Sequence, residues 1–220
     1  MSGATQETRE VREVQEVPQV TDSARALRHD EPHPHAFTRE GVGWRPWLEP
    51  LAVDELTERH HEGLVDRGRA SSDYFRLLAR DPEILRARTL TDKDIFYNVA
   101  EGLPRADREL AAAAASRVNG CVFCASVHAR FAAHFSGREE DVDRLLAEGV
   151  GADLGERWNA IVAAAAALTV TPIAFGPAYV ERLRAAGLDD LEISDVVHGA
   201  AFFNWANRLM LTLGRAVAPE

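Results

Sequence analysis

Two cysteines, Cys121 and Cys124, are the only ones in 220 residues, and they stand three apart. On a helix, positions i and i+3 share a face, so the two thiols would point the same way. His128 follows Cys124 by four residues and extends that face by one turn. Asn119-Gly120 just before the pair breaks a helix and puts Cys121 at the start of the next one. Free N–H groups and the helix dipole at such a start favour a thiolate. A thiolate attacks peroxides and disulfides, and a neighbouring thiol can then close a disulfide and expel the product. His128 can exchange a proton with Cys124, and a carboxylate can orient or recharge that imidazole. Glu109 lies twelve residues before Cys121, on a segment that could return across the turn and place it nearby.

Other chemistry fits parts of this pattern. Two thiolates and an imidazole suit zinc, although a fourth ligand is not identifiable and no second cysteine pair exists. Covalent haem attachment needs a His directly after the second cysteine, where Ala125 stands, and is excluded. A thioredoxin-like fold needs a strand ahead of the CxxC helix, whereas residues 111–120 read as helix. A CxxC alone also fits two buried neighbours without chemistry.

Composition narrows the field further. Asp and Glu number 35 against 25 Lys and Arg, a net charge of −10, which argues against a nucleic-acid partner. Two cysteines exclude a disulfide-stapled scaffold. The first twenty residues lack the apolar core of a signal peptide. The nearest approach to a membrane span, 161–180, is interrupted by Pro172, Gly176 and Pro177. The expectation is a cytoplasmic protein with no membrane association, in a compartment where a close thiol pair stays mostly reduced.

The elements that must position these residues read as helices. Residues 1–36 are expected to form a disordered acidic tail, because Glu7, Glu10, Glu13 and Glu16 alternate with isolated valines and no aromatic residue precedes Phe37. His29, His33 and His35 there fit a mobile His/Pro linker better than a metal tract. Residues 37–220 are expected to form one all-α domain, a helical bundle around an Ala-rich core. Helical spacing predicts segments at 71–85 (interrupted or restarted at Asp81-Pro82), 90–102, 105–118, 121–135, 139–147, 156–168, 178–186 and 193–214. Val99 belongs to the second of these. Gly187 and Gly214 serve as stops. No alternating run of Val, Ile or Thr suggests a sheet.

With these residues placed, the chain resembles the alkylhydroperoxidase D-like branch of the carboxymuconolactone decarboxylase-like superfamily. The carrying pattern is Glu109, the run from Asn119 through Gly120, Cys121, Val122, Phe123 and Cys124, and then His128. The lead-in from Leu103 to Leu110 and the Phe202-Phe203-Asn204 to Arg208 ending are also similar, so the likeness covers roughly residues 70 to 215. Residues 37–50 look like the leader of a bacterial peroxidase-related subgroup. The resemblance implies an all-helical homo-oligomer, trimer or hexamer, that reduces organic hydroperoxides without cofactor or metal. It implies that Cys124 attacks the peroxide, Cys121 resolves, and His128 with Glu109 relays the proton. A lipoyl or thioredoxin-like dithiol protein would restore the thiols. Where well-known members carry a His just before the second cysteine, this chain has Phe123, one proton-transfer group fewer. The alternatives in other classes are a decarboxylase-like lyase, whose relatives generally lack CxxC, and a redox-sensing module without turnover.

The remaining candidates read as structural. His134 lies off the catalytic face, and His198 is an ordinary packing residue near Phe202 and Phe203. Asn204, Asn207 and Arg208 are expected to bond a neighbouring subunit or brace the catalytic helix. Trp44 and Trp47 are candidates to cover an apolar surface of a partner subunit. Trp158 and Trp205 read as core or interface aromatics. The acidic surface offers no steering to anions, so the expected hydroperoxide is uncharged or apolar.

Overall fold

A computed structural model describes residues 34, 36–98 and 100–218. The tail at 1–33, the histidines at 29, 33 and 35, and Val99 lie outside the described residues. Among the described residues the chain is helical apart from one pair of short strands, as expected for the all-α class.

The centre is a helical hairpin. Helix α4 (Arg105–Val118) carries five consecutive alanines, Ala111 to Ala115, each with no exposed surface. Alanine is the best helix former and leaves little side chain between backbones. Helices α5 (Val122–Ser136), α7 (Glu156–Thr169) and α9 (Asp190–Leu213) therefore close around α4 on several sides. The hairpin turn runs through Gly120, whose φ of 76° lies in the left-handed region where a side chain would be strained. Helix α5 stops at Gly137, again left-handed, whose N–H reaches the Ala133 carbonyl at 2.8 Å.

Flanking helices complete the bundle: α1 (Glu58–Leu64), α2 (Asp73–Leu78), α3 (Pro82–Tyr97), α6 (Glu139–Glu148) and α8 (Pro177–Ala185). The expected break at Asp81-Pro82 is present. The Asp81 carboxylate accepts the Ile84 N–H at 3.1 Å and Pro82 opens the first turn. The separate helix expected at 90–102 is absent, because α3 runs unbroken through Leu90 and ends at Tyr97. Asp92 sits mid-helix beside Arg88, one turn earlier. Helix α9 begins three residues before the expected Ile193, where Asp189 and Glu192 cap each other's N–H groups at 2.8 and 2.9 Å.

The expectation of no sheet is also corrected. Strand β1 (Gly43–Pro46) pairs antiparallel with β2 (Gly214–Val217), Gly43 opposite Val217. Neither four-residue strand has the alternation that marks a half-buried strand, so periodicity could not reveal them. The pair is held from outside its own ladder: the Trp44 indole donates to the Met210 carbonyl at 3.1 Å, and the Trp47 N–H to the Leu213 carbonyl at 2.8 Å. Gly214 does end α9, in extended backbone. A β-carbon there would sit 2.3 Å from the Trp44 ring.

Two buried polar clusters fix the start of α4. Arg108 donates to the carbonyls of Leu103, Ile95 and Glu101 at 2.7, 2.9 and 2.8 Å and pairs with Asp195 at 2.9 Å. Asp107 accepts the Trp158 indole at 2.9 Å and Arg157 at 3.0 Å, tying α4 to α7. Trp158 is thus a core residue as expected, whereas Trp205 is 40% exposed. Replacing Asp107 by Ala strands the buried indole N–H and is expected to cost about 2–3 kcal/mol. Trp158→Phe removes only one donor and should cost about 1 kcal/mol. Urea denaturation checks both, and a neutral Asp107→Ala would contradict this role.

Candidate active site

The four residues singled out in the sequence converge between α4 and α5. Glu109 has no exposed surface. The antiparallel return of α5 brings its Oε2 to 2.5 Å from His128 Nδ1. Its other oxygen, Oε1, accepts Arg105 Nε at 2.6 Å. Arg105 stands one helical turn before Glu109, and its guanidinium lies 4.2 Å from the Tyr97 ring centre and 5.1 Å from that of Phe135. A carboxylate only accepts, so the shared proton belongs to His128 Nδ1, which leaves Nε2 as the ring's acceptor. The imidazole is set in place by Phe203, with ring centres 4.0 Å apart, and by Phe96 at 5.2 Å.

Cys121 is the capping residue of α5, and its N–H donates to the Ser116 carbonyl at 2.9 Å. Both cysteines are free and buried, with their sulfurs 2.9 Å apart. They differ in what they face. Cys124 lines a cavity of about 290 Å³ together with His128, Glu109, Phe96 and Phe203, and Cys121 does not. No hydrogen bond joins His128 to either sulfur in this arrangement; they share the cavity instead. Phe123 also lines it, where a further proton donor would otherwise stand.

The dipole argument, which favours a thiolate at the helix start, does not govern Cys124. Burial pushes its thiol well above the ordinary range, and the adjacent Cys121 adds to the rise. A hydrogen bond from Asn207 and the charge of Arg88 work in the opposite direction and are the smaller effects. Asn207 is wholly buried and gathers the local polar groups: it donates to Ser116 Oγ and accepts from Asn119 Nδ2, both at 3.0 Å. Asn204 accepts the same Asn119 amide at 3.2 Å and Arg208 at 3.1 Å. Of the two roles expected for these side chains, bracing the catalytic helix is therefore the one seen within the chain. Asn207 is also near enough to Cys124 to bear on its ionisation. His198 and His134 are exposed and away from this site. Among the described residues no group of three or more His, Cys, Asp or Glu gathers in a metal-binding arrangement. Nor is any described helix long and apolar enough to cross a membrane.

Four contributors, Arg105, Phe96, Arg88 and Tyr74, were not singled out as site residues in the sequence. Arg105 could have been found, since Arg and Glu four apart on a helix are neighbours. Phe96, and the Arg88–Tyr74 wall described below, lie far away in sequence and carry no local pattern.

The central hairpin of the all-helical bundle thus holds a Glu–His pair beside a buried CxxC. Residues 82–167, from α3 to α7, match the model of the carboxymuconolactone decarboxylase family. The fold matches a peroxidase-related protein from Ralstonia eutropha JMP134 with an alkylhydroperoxidase AhpD core (TM-score 0.66, 21% identity, 76% of this chain and 90% of that one). It also matches a peroxidase-related protein from Silicibacter sp. TM1040 (TM-score 0.62, 23% identity, 75% and 89%). The debrominase Bmp8 shares the fold as well (TM-score 0.60, 16% identity, 74% and 87%). No curated protein matches the chain. The chain thus shares the fold of these structures, and its segment 82–167 matches the family model.

The burial of Cys124 sets its pH dependence. A thiol loses about tenfold in thiolate for each pH unit below its pKa. Alkylation of Cys124, mapped by mass spectrometry, should still accelerate above pH 9, whereas an ordinary exposed thiol levels off near about 8.5. A plateau for Cys124 below that value would contradict the assigned environment.

Proposed function

We propose that the protein is a thiol-dependent peroxidase that reduces organic hydroperoxides through a Cys121–Cys124 disulfide cycle, with Glu109 and His128 as proton relay. The observation that carries this reading is the asymmetry of the pair. Cys124 faces the cavity beside His128, and Cys121 stands 2.9 Å behind it, out of the cavity wall. The family-model match over residues 82–167 supports an enzymatic role but leaves the chemistry open, as the debrominase of the same fold illustrates.

The cycle begins with a protonated Cys124, so a base must act when the substrate arrives. His128 Nε2 takes the thiol proton through a water or the bound hydroperoxide, and Glu109, held in position by Arg105, stabilises the imidazolium that forms. The sulfur attacks the terminal oxygen of ROOH. A S–O bond forms, the O–O bond breaks, and the leaving alkoxide takes the proton from His128 as ROH. Cys124 is now a sulfenic acid. The Cys121 sulfur attacks it, a S–S bond forms, and the hydroxyl leaves as water. A dithiol, from a lipoyl or thioredoxin-like protein, then exchanges with the disulfide and is itself oxidised, returning both thiols. Two thiols kept free for this purpose suit a reducing compartment such as the cytoplasm.

Assembly into a homo-oligomer, trimer or hexamer, is part of the same reading. Tyr97, Phe131 and Phe135 are 59%, 38% and 49% exposed around Arg105 at the cavity's edge, an apolar surface that a second copy would cover.

Purified protein given cumene hydroperoxide and dihydrolipoamide should consume the peroxide catalytically. Cys124→Ser should abolish consumption, Cys121→Ser should stop after about one equivalent per site, and Glu109→Gln should lower kcat/KM by about 10²–10⁴-fold. Equal consumption by wild type and Cys124→Ser would sink the mechanism. Light scattering or native mass spectrometry checks the assembly, and a folded monomer at micromolar concentration would refute it.

A further inference from the structure

The wall of the cavity away from Glu109 carries charge that the peroxide chemistry does not use. Arg88, on α3, keeps only 7% of its surface exposed, and its Nε and Nη1 have no hydrogen-bond partner. Tyr74, on α2, is 6% exposed, and its hydroxyl is likewise unpartnered. Both side chains line the cavity that Cys124 lines. An unpartnered buried donor ordinarily costs about 1–3 kcal/mol, and more for a charged one, so two such groups side by side need an occupant to account for them.

The nearby carboxylate does not supply it. Asp92 Oδ2 stands 3.5 Å from Arg88 Nη1, beyond a good hydrogen bond, and 3.8 Å from Arg69 Nη2. Two guanidinium groups thus share one acid. On the opposite wall Arg105 is already matched by Glu109. The cavity is therefore left with one more arginine than carboxylates. Aromatic rings hold Arg88 in place, Phe202 at 5.2 Å and Phe75 at 5.4 Å from the guanidinium carbon. That stacking restricts the side chain without meeting its N–H groups. Arg88 is near enough to bear on the ionisation of both Tyr74 and Cys124, although it makes no hydrogen bond of good geometry to the phenol.

We propose that the organic substrate carries a carboxylate, which Arg88 and the Tyr74 hydroxyl bind, leaving the reactive end of the molecule at Cys124. The carboxylate supplies acceptor oxygens to the unpartnered donors and balances the extra positive charge. A charged group in a desolvated pocket recognises its partner far more strongly than on a wet surface. This deepens the peroxidase reading and rests on it for the word substrate: the molecule is a hydroperoxy acid rather than a neutral hydroperoxide. It reverses the expectation drawn from the acidic net charge. A surface excess of carboxylates describes long-range steering, whereas the buried arginine decides what is retained once inside.

Binding can be measured without turnover. Calorimetry on the full, reduced protein at pH 7.5 compares hexanoate with 1-hexanol, which share a chain and differ in the head group. Wild type should prefer hexanoate by about tenfold to a hundredfold. Arg88→Met, similar in length and apolar, should lose that preference. Tyr74→Phe, which removes a single oxygen, should weaken hexanoate by about three- to tenfold without changing 1-hexanol. Circular dichroism verifies that each variant is folded, and Tyr74→Phe carries the test if Arg88→Met is not. Equal binding of the two probes by wild type, or a preference retained in both variants, would overturn the proposal. These outcomes are separable from the peroxidase reading. Carboxylate preference without peroxide consumption would leave the binding site standing and refute the cycle. Peroxide consumption without carboxylate preference would do the reverse.

Discussion

The structure depends on a buried carboxylate. Glu109 has no exposed surface and sits in a helix buried without a break from Ala106 to Ser116, next to five alanines. Desolvating an ionised carboxylate costs several kcal/mol unless opposite charge and hydrogen bonds are supplied on the spot. Here both oxygens are engaged, one by Arg105 from the same helix and the other by His128 from the next. That requirement dictates much of the surrounding geometry. Arg105 must lie back along α4 with aromatic rings beside it, α5 must return antiparallel, and Phe96 and Phe203 must fix the plane of the imidazole. Loosening any one of these would leave a charge stranded in the interior.

The alanines make that return possible. With a single methyl group per residue, α4 lets α5, α7 and α9 approach its backbone, and the turn at Asn119-Gly120 can be tight enough to seat Cys121 as the capping residue of α5. The polar groups such a turn buries are answered from α9, where Asn207 meets Ser116, Asn119 and the sulfur of Cys124. The same asparagine thus holds two helices in register and bears on the reactivity of a thiol.

Local patterns carried much of this in the sequence. The CxxC with His128 is visible by spacing, and so are α4, α5, α6 and α7, because each is bounded by a turn residue and has a strong helical composition; the place of Glu109 beside His128 comes only from the family resemblance. What escaped was set by distant partners. Helix α3 was divided at Leu90 because Asp92 looks like a start until its pairing with Arg88 is known. The strand pair owes its existence to Trp44 and to the end of α9, which no period of two could disclose. Arg105 was legible in principle from its distance to Glu109. Arg88 and Tyr74 were not, since the observation that distinguishes them is the want of a partner, a property of the folded state alone. The overall charge is silent on such a pair, because it weighs surface and interior alike.

The strand pair has a mechanical consequence. By stitching residues 43–46 to residues 214–217 it turns most of the chain into a closed loop. The seam lies behind the cavity: Trp44, anchored to the end of α9, meets the ring of Tyr74 edge-on at 5.4 Å. The wall that carries the Tyr74 hydroxyl is thus fastened, through one indole, to two segments, at Trp44 and at Met210, that lie 166 residues apart in the chain.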